Sequence, residues 1–435
     1  MSPPPLREAI RIWARVGVLS FGGPAGQIAV MHRILVDERK WIDEDRFLHA
    51  LKFCTLLPGP EAQQLATYLG WSLHGIRGGL LAGLLFIIPG VLTLLALSLG
   101  YAYAADLGFV GTVFAAIRPA VLIIVIDALL RIGGRSLPER RLVWLAAAAF
   151  AALFFFRVPY PLVIVASAAA GLALGAGGGR RAATARSGTA PARGSWRRAL
   201  AVATVGLTLW WGAVFGLRAA FGGDHVLAQG AWLWSKAAVV TFGGAYAVLD
   251  YVRVAAVEQL HWLSAQAMLD GLSLAETTPG PLILVLQFVG FLAGFQASAP
   301  FSPLAGGLAG AATAVWVTFV PSFLFVLLCA PYVEWLRHQP RLSAALTGIS
   351  AAVVGVVANL SAWFALHALF REQVHVAAGP FSLELPRLST ADPLAIAIGV
   401  AAAVATFWFR QSMIRVLVGA LVVGLVVAAS RTIAF

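Results

Sequence analysis

Ser20-Phe21-Gly22-Gly23, Trp41 and Pro58-Gly59-Pro60 return as Thr241-Phe242-Gly243-Gly244, Trp262 and Pro279-Gly280-Pro281, 221 residues further on at all three places. Pro89 returns as Pro321, and Ile117–Val121 finds its echo at Ile349–Val353, now 232 residues apart. Both motifs break helices. Proline lacks an N–H and clashes with the preceding turn, while paired glycines let backbone approach backbone or ligand closely. In an apolar chain, a repeat built around helix breaks marks a transporter fold in which each half supplies one side of a central site.

Composition sets the environment. Of the 435 residues, 60% are hydrophobic and 11% charged, less than half the charged share of a soluble domain. Apolar runs such as Leu80–Leu99, Val110–Leu130, Leu304–Leu328 and Leu394–Phe409 read as membrane helices. The first apolar stretch is interrupted by Arg11 and Arg15 and carries no signal-peptide cleavage pattern. The net charge of +12 resides in arginines between apolar runs, a topology signal rather than a nucleic-acid surface. Cys54 and Cys329 stand alone in apolar surroundings and read as core thiols, and the eight histidines lack metal-ligand spacing. No cofactor is expected.

The fold class expected is an all-α polytopic membrane protein of two homologous repeats in inverted topology, its helices broken at the Phe-Gly-Gly and Pro-Gly-Pro motifs. Residues 1–178 form the first repeat, 179–198 a basic cytoplasmic linker, and 199–435 the second repeat preceded by one unpaired span. Six spans are expected in each half, the first two near 7–30 and 45–73, with their counterparts near 227–249 and 266–296. The unpaired span near 199–217 makes seven crossings before the second repeat, and an odd number turns it upside down. With the N-terminus inside, Arg131, Arg135, Arg140, Arg141, Arg253, Arg337, Arg341, Arg410 and Arg415 fall inside, and the loop at 31–44 falls outside.

Candidate site residues gather around the breaks. New half-helices starting at Pro60 and Pro281 would aim N–H groups and dipole at an anion. Pro58, Gly59, Pro279 and Gly280 shape those starts, and Gly22, Gly23, Gly243 and Gly244 do the same at the other breaks. Arg15 and Lys236 each lie five residues before Ser20 and Thr241 and would supply positive charge. Thr55, Gln63, Gln64, Thr277 and Thr278, with Ser20 and Thr241, offer uncharged donors of the kind a tetrahedral oxyanion needs. Glu61 follows the first Pro-Gly-Pro and Glu276 precedes the second. With Asp127, aligned with Asn359 across the repeat, they are the candidates for proton coupling. Asp250, Lys52 and Arg118 read as interfacial.

These motifs resemble the chromate ion transporter family in its long two-domain form. The carrying residues are Phe21-Gly22-Gly23-Pro24, Trp41, Cys54-Thr55-Leu56-Leu57-Pro58-Gly59-Pro60, Phe86-Ile87-Ile88-Pro89-Gly90, Phe242-Gly243-Gly244-Ala245-Tyr246, Asp270-Gly271 and Ala275-Glu276-Thr277-Thr278-Pro279-Gly280-Pro281. The resemblance implies a bacterial inner-membrane protein that exports chromate, with sulfate as a related anion, driven by the proton-motive force and conferring chromate resistance. Asp250 departs from it, standing where the family's second half often has proline. The partners expected are chromate or sulfate and the lipid bilayer, with no nucleic acid; a homodimer is compatible with the sequence. A passive anion channel shares the same site chemistry. A membrane-embedded enzyme would need a cofactor motif, paired thiols or clustered acids, none of which the sequence contains.

Overall fold

Helix α1 (Leu6–Leu19) has 14 residues, about 21 Å of helix against a hydrocarbon core of about 30 Å. It stops at Ser20, and α2 (Gly23–His32), prolonged by a π-helical turn over Arg33–Glu38, runs back toward its start. Arg39 there reaches Glu8 at 3.2 Å. In this computed structural model, which describes residues 4–105, 107–176, 196–242, 244–297, 299–333 and 339–433, the expected span near 7–30 is therefore a helical hairpin entering and leaving by one end. The loop near 31–44 lies at the end where α1 begins, a correction to its expected position.

The next segment does the same. Helix α3 (Glu44–Cys54) starts beside α2, where His32 Nε2 lies 2.5 Å from Glu44, and it stops before Pro58. Helix α4 (Glu61–Ala104) is two segments joined at a kink, where His74 and Gly75 leave helical geometry. Its first segment folds back on its second at Gly70 and Gly78, where a Cβ on either would sit within 2.4 Å of the other's carbonyl oxygen. His74 Nε2 meets the Pro4 carbonyl at 2.7 Å, so this kink also lies at the α1 end. The second segment is a full crossing. The expected span near 45–73 is thus a second hairpin.

Helices α5 (Gly108–Ser136), α6 (Arg140–Phe154), α7 (Tyr160–Ala176) and α8 (Trp196–Phe221) follow. Most of the basic linker, residues 179–195, lies outside the described residues. Helix α9 (Val226–Val240) stops at Thr241, and α10 (Ala245–Arg253) continues as a π-helical turn over Val254–Gln259. Helix α11 (Ala265–Thr277) stops before Pro279, and α12 (Val285–Ala297) leads to the crossing helix α13 (Pro303–Cys329). The outer ends of this set gather at the other end of the bundle. His225 meets the Ala299 carbonyl at 3.0 Å, and Phe295 packs 5.3 Å from Tyr103 near the end of α4.

The 221-residue spacing also governs the backbone. The π turns recur at that interval, as do left-handed Lys40 and His261, each with φ of 52°, and left-handed Gly59 and Gly280. Trp41 N–H donates to the Leu35 carbonyl at 2.9 Å and Trp262 N–H to Ala256 at 2.8 Å, so the two tryptophans seal equivalent turns.

Helix α14 (Pro340–Leu369) packs on α6 and α7 through small residues, Gly348 against Ser167 and Gly355 against Ala146. It leads to a short β-hairpin, β1 (Gln373–Ala378) and β2 (Phe381–Pro386), an addition to the expected all-α membrane architecture. The hairpin clamps the α6–α7 turn: Ser382 N–H donates to the Phe155 carbonyl at 2.8 Å, and Phe155 stacks on Phe381. Asp392 then caps α15 (Pro393–Ala403), and α16 (Met413–Ile433) follows. Arg341 begins α14, whereas Arg253 lies under Trp363 near its end, about 33 Å away along the helix. Arg253 therefore does not share an end with Arg341 as expected, and Arg337 lies outside the described residues.

Among the described residues six helices are long and apolar enough to cross a membrane by length and composition alone, and shorter apolar helices such as α7 and α15 lie beside them. Large apolar side chains such as Leu92, Val165 and Val426 cover the outer surface, as lipid requires of a multi-pass membrane protein. The tightest helix contact is α12 against α13, where a Cβ on Gly310 would lie 2.0 Å from the Gly290 carbonyl. Gly310→Val is expected to destabilise the detergent-solubilised protein by about 1–3 kcal/mol or more. Gly212→Val, with nothing within 4 Å, is the control. Equal thermal midpoints for the two variants would contradict this packing.

Candidate functional site

A break inside an apolar bundle frees backbone groups that water cannot reach, and each needs a protein partner. The breaks satisfy each other. Gly59 N–H donates to the Thr241 carbonyl at 2.8 Å, and Gly280 N–H donates to the Ser20 carbonyl at 2.9 Å. Each Pro-Gly-Pro thus bonds to the residue opening the Phe-Gly-Gly turn of the other half of the chain. Both glycines need their positive φ, 132° and 91°. The Ser20 and Thr241 hydroxyls donate back to Val16 and Ala237, tying the two helix ends in the same way.

Side-chain amides take up further backbone groups. Gln27 Nε2 donates to the Gly280 carbonyl at 2.6 Å and Gln64 Nε2 to the Pro58 carbonyl at 2.7 Å. Gln63 donates to Thr67 at 2.9 Å and accepts from Ser322 at 2.5 Å. The proline-bearing crossing helices seal the exchange. Gly90, after Pro89, is so close to the second break that a Cβ there would lie 2.3 Å from the Pro279 carbonyl. Ser322, after Pro321, lies beside Gly59. Gln63 and Gln64, expected as substrate donors, have their amide N–H groups engaged by the protein.

Beside this crossing is a cavity of about 140 Å³. Gly22, Gly23, Pro24 and Ala25 line it from the start of α2, Glu61 from the start of α4, and Gly244 and Tyr246 from the start of α10. Three helix N-termini thus converge on it, each carrying roughly half a positive charge. Arg131 and Arg135 of α5 complete the wall, with Met413 of α16. Arg131 pairs with Asp127 one turn earlier. Among the described residues no carboxylate lies within 4.0 Å of Arg135. Behind the wall Tyr246 Oη donates to Glu276 Oε1 at 2.6 Å, and Glu276 is buried. Two guanidinium groups and converging N–H dipoles against a single lining acid suit an anion.

The structure does not bring every expected residue here. Arg15 is exposed and pairs with Glu38 at 3.3 Å, and Lys236 is exposed over the Trp232 ring. Both lie on helix faces turned away from the breaks, so the positive charge comes from α5 instead. Thr55 and Thr277 are exposed and donate to carbonyls three residues back, and Thr278 does likewise while buried. Gly243 lies outside the described residues. Arg131, Arg135 and Tyr246 are the cavity-lining candidates that sequence reasoning missed. Asp127, Arg131 and Arg135 recur every fourth residue and so share a helix face, which was the available signal.

A second cavity, of about 300 Å³, opens at the hairpin end, under Ser382 and Glu384. Its floor is Asp250, Asn359 and Tyr160. Arg253 is buried among Asp250, Glu258 and the Trp363 ring, and Asn359 donates to Asp250 at 2.8 Å. Asp250 is therefore buried rather than interfacial. Arg118 is half-buried, and its guanidinium meets the buried Asp270 at 2.7 and 2.9 Å, joining α5 to α11. Tyr246 and Asp250 are one turn apart on α10 and face different cavities.

The model of the chromate transporter family matches residues 7–172 and 228–425. A chromate transport protein of Pseudomonas aeruginosa is 34% identical over 363 residues, covering 82% of this chain and 80% of its own. One from Cupriavidus metallidurans is 29% identical over 366 residues, covering 81% and 80%. No solved structure matches the chain. The chain belongs to the chromate transporter family, whose members are transport proteins rather than enzymes.

Gln27→Leu removes the donor to the buried Gly280 carbonyl and is expected to destabilise the fold by about 1–3 kcal/mol. A thermal midpoint in detergent equal to that of the unsubstituted protein would show that this carbonyl has another partner.

Proposed function

We propose that this family member is a secondary transporter that carries chromate out of the cell across the bacterial inner membrane, coupled to the proton-motive force, and so confers chromate resistance. Sulfate is the competing oxyanion. The observation that carries this reading is the cavity beside the crossed breaks, where three helix N-termini meet Arg131 and Arg135. A tetrahedral dianion there would find N–H donors from Gly22, Gly23 and Gly244 and charge from the two arginines, with Ser20, Thr241 and both Pro-Gly-Pro segments holding the frame. Glu276, Glu61 and Asp127 are the acids close enough to link anion occupancy to protonation.

The two halves, 1–178 and 199–435, read as repeats of opposite orientation. The hairpins of the first half open toward the α1 end and those of the second toward the β-hairpin end. Counting α1–α2 and α3 with the first segment of α4 as hairpins leaves five crossings before α9, still an odd number. With the α1 end inside, Arg33, Arg39 and Lys40 join the inner basic residues, in keeping with the positive-inside pattern. Cavities on opposite ends of one thin septum, α10, suit alternating access.

Purified protein in proteoliposomes, with labelled chromate, sulfate as competitor and an imposed pH gradient, tests this directly. Uphill chromate movement that an uncoupler abolishes is expected. Flux that is only downhill would identify a channel. Arg135→Ala is expected to weaken chromate binding by about 10-fold or more, the loss of one charge-assisted contact, while Arg15→Ala leaves it unchanged. The reverse ranking would move the site to the face of α1.

A further inference from the structure

One side chain separates the cavity from a buried acid, Glu276. Glu276 is 3% exposed, and its Oε1 accepts the Tyr246 hydroxyl at 2.6 Å. Its other oxygen, Oε2, is buried without a hydrogen-bond partner. A carboxyl in that setting has one polar neighbour, and that neighbour lines the cavity. Among the described residues no cation pairs with Glu276 within 4.0 Å, unlike Asp250 with Arg253, Asp270 with Arg118 and Asp127 with Arg131. Those acids are fixed by their guanidinium partners. Asp270 also accepts a hydroxyl, that of Tyr101 at 2.9 Å, but Glu276 alone among these four has a hydroxyl and no guanidinium, and a hydroxyl both donates and accepts a proton.

We propose that Tyr246 is a proton relay that exchanges protons between the anion cavity and Glu276, a role that rests on reading the cavity as the oxyanion site. The donor in the cavity is a water or a hydrogen-oxyanion. Its O–H bond breaks as a new one forms on Tyr246 Oη. The original Tyr246 O–H breaks as its proton bonds to Glu276 Oε1. The cavity is left with hydroxide or the deprotonated oxyanion, Tyr246 is unchanged, and Glu276 becomes a neutral carboxylic acid. No electron changes hands. The charges that reach this pair are Arg131 and Asp127 on α5. Glu61 and Arg135 face it across the cavity, and Asp250 lies one turn further along α10. A dianion entering beside Tyr246 adds negative charge near Glu276 and favours its neutral form, so anion binding draws a proton inward.

The test is stopped-flow proton uptake in weakly buffered detergent solution when chromate is added at alkaline pH, where the anion arrives fully deprotonated. The unsubstituted protein is expected to take up protons as it binds. Tyr246→Phe keeps the ring and is compared at chromate concentrations that saturate each protein, so that any change in binding is separated from the rate of proton uptake. Its proton uptake is expected to be slower by at least about 100-fold, the usual contribution of a positioned proton-transfer group. Glu276→Gln is expected to abolish uptake while retaining binding, and Tyr246→Phe with Glu276→Gln to match Glu276→Gln alone. Uptake at the original rate in Tyr246→Phe overturns the relay. If that variant does not fold, uptake persisting in Glu276→Gln overturns it independently. Chromate binding without proton uptake in the unsubstituted protein also overturns the relay but leaves the anion site standing. Absence of chromate binding in the unsubstituted protein removes the site itself.

Discussion

Four helix breaks meet where water cannot serve them, and the exchange of backbone hydrogen bonds between Gly59 and Thr241, and between Gly280 and Ser20, is what permits the fold. Without it, eight half-helices would end in an apolar bundle with unpaired N–H and C=O groups, each unfavourable by several kcal/mol in lipid. The exchange also fixes geometry. Because each Pro-Gly-Pro bonds to the opposite Phe-Gly-Gly turn, the two halves dock at their breaks, and the starts of α2, α4 and α10 are brought to one cavity. The close packing of Gly90 and Ser322 against the breaks leaves little freedom to separate them locally. Motion between the halves would have to carry the crossing as a unit, or open on either side of it.

Charge placement follows the same frame. The buried ion pairs Arg118–Asp270 and Arg253–Asp250 bind α5 to α11 and hold the π turn after α10. Both are fully partnered, as a buried pair must be to persist. The cavity at the crossing is different: its arginines lie on the open side of α5, Glu61 lines it directly, and Glu276 behind its wall is held by a tyrosine. Neutral and fixed groups therefore shape the site, while the groups free to change partner or protonation lie around it.

Much of this was legible in the sequence. The repeated motifs located all four breaks to the residue, and the apolar runs located α5, α8 and α13 to within a few positions. Glu61 and Glu276 were singled out by their places beside Pro-Gly-Pro. What the sequence concealed has physical causes. An apolar stretch of 24 residues with a central Phe-Gly-Gly has the same composition whether it crosses or folds back. The Glu8–Arg39 and Arg15–Glu38 pairs, 31 and 23 residues apart, distinguish the two. Arg131 and Arg135 end a long apolar helix, where arginine ordinarily marks topology, so their second role was masked. Arg15 and Lys236 misled for the converse reason: the heptad spacing to the glycines was right, but a break turns the chain before that face reaches the site. The β-hairpin had a signal in the alternation Phe381-Ser382-Leu383-Glu384-Leu385 after Gly379-Pro380, which is short beside the helices around it.

The central claim is that the crossed breaks hold the anion. Chromium is its own label, and anomalous diffraction from crystals of the protein soaked in chromate tests the claim most directly. The account predicts a chromium peak between the Phe-Gly-Gly turns, within hydrogen-bonding reach of the Gly22–Gly23 or Gly244 backbone and of Arg135. A chromium peak confined to the hairpin-end cavity around Arg157 and Arg253, or to the exposed arginines of α1, would contradict it.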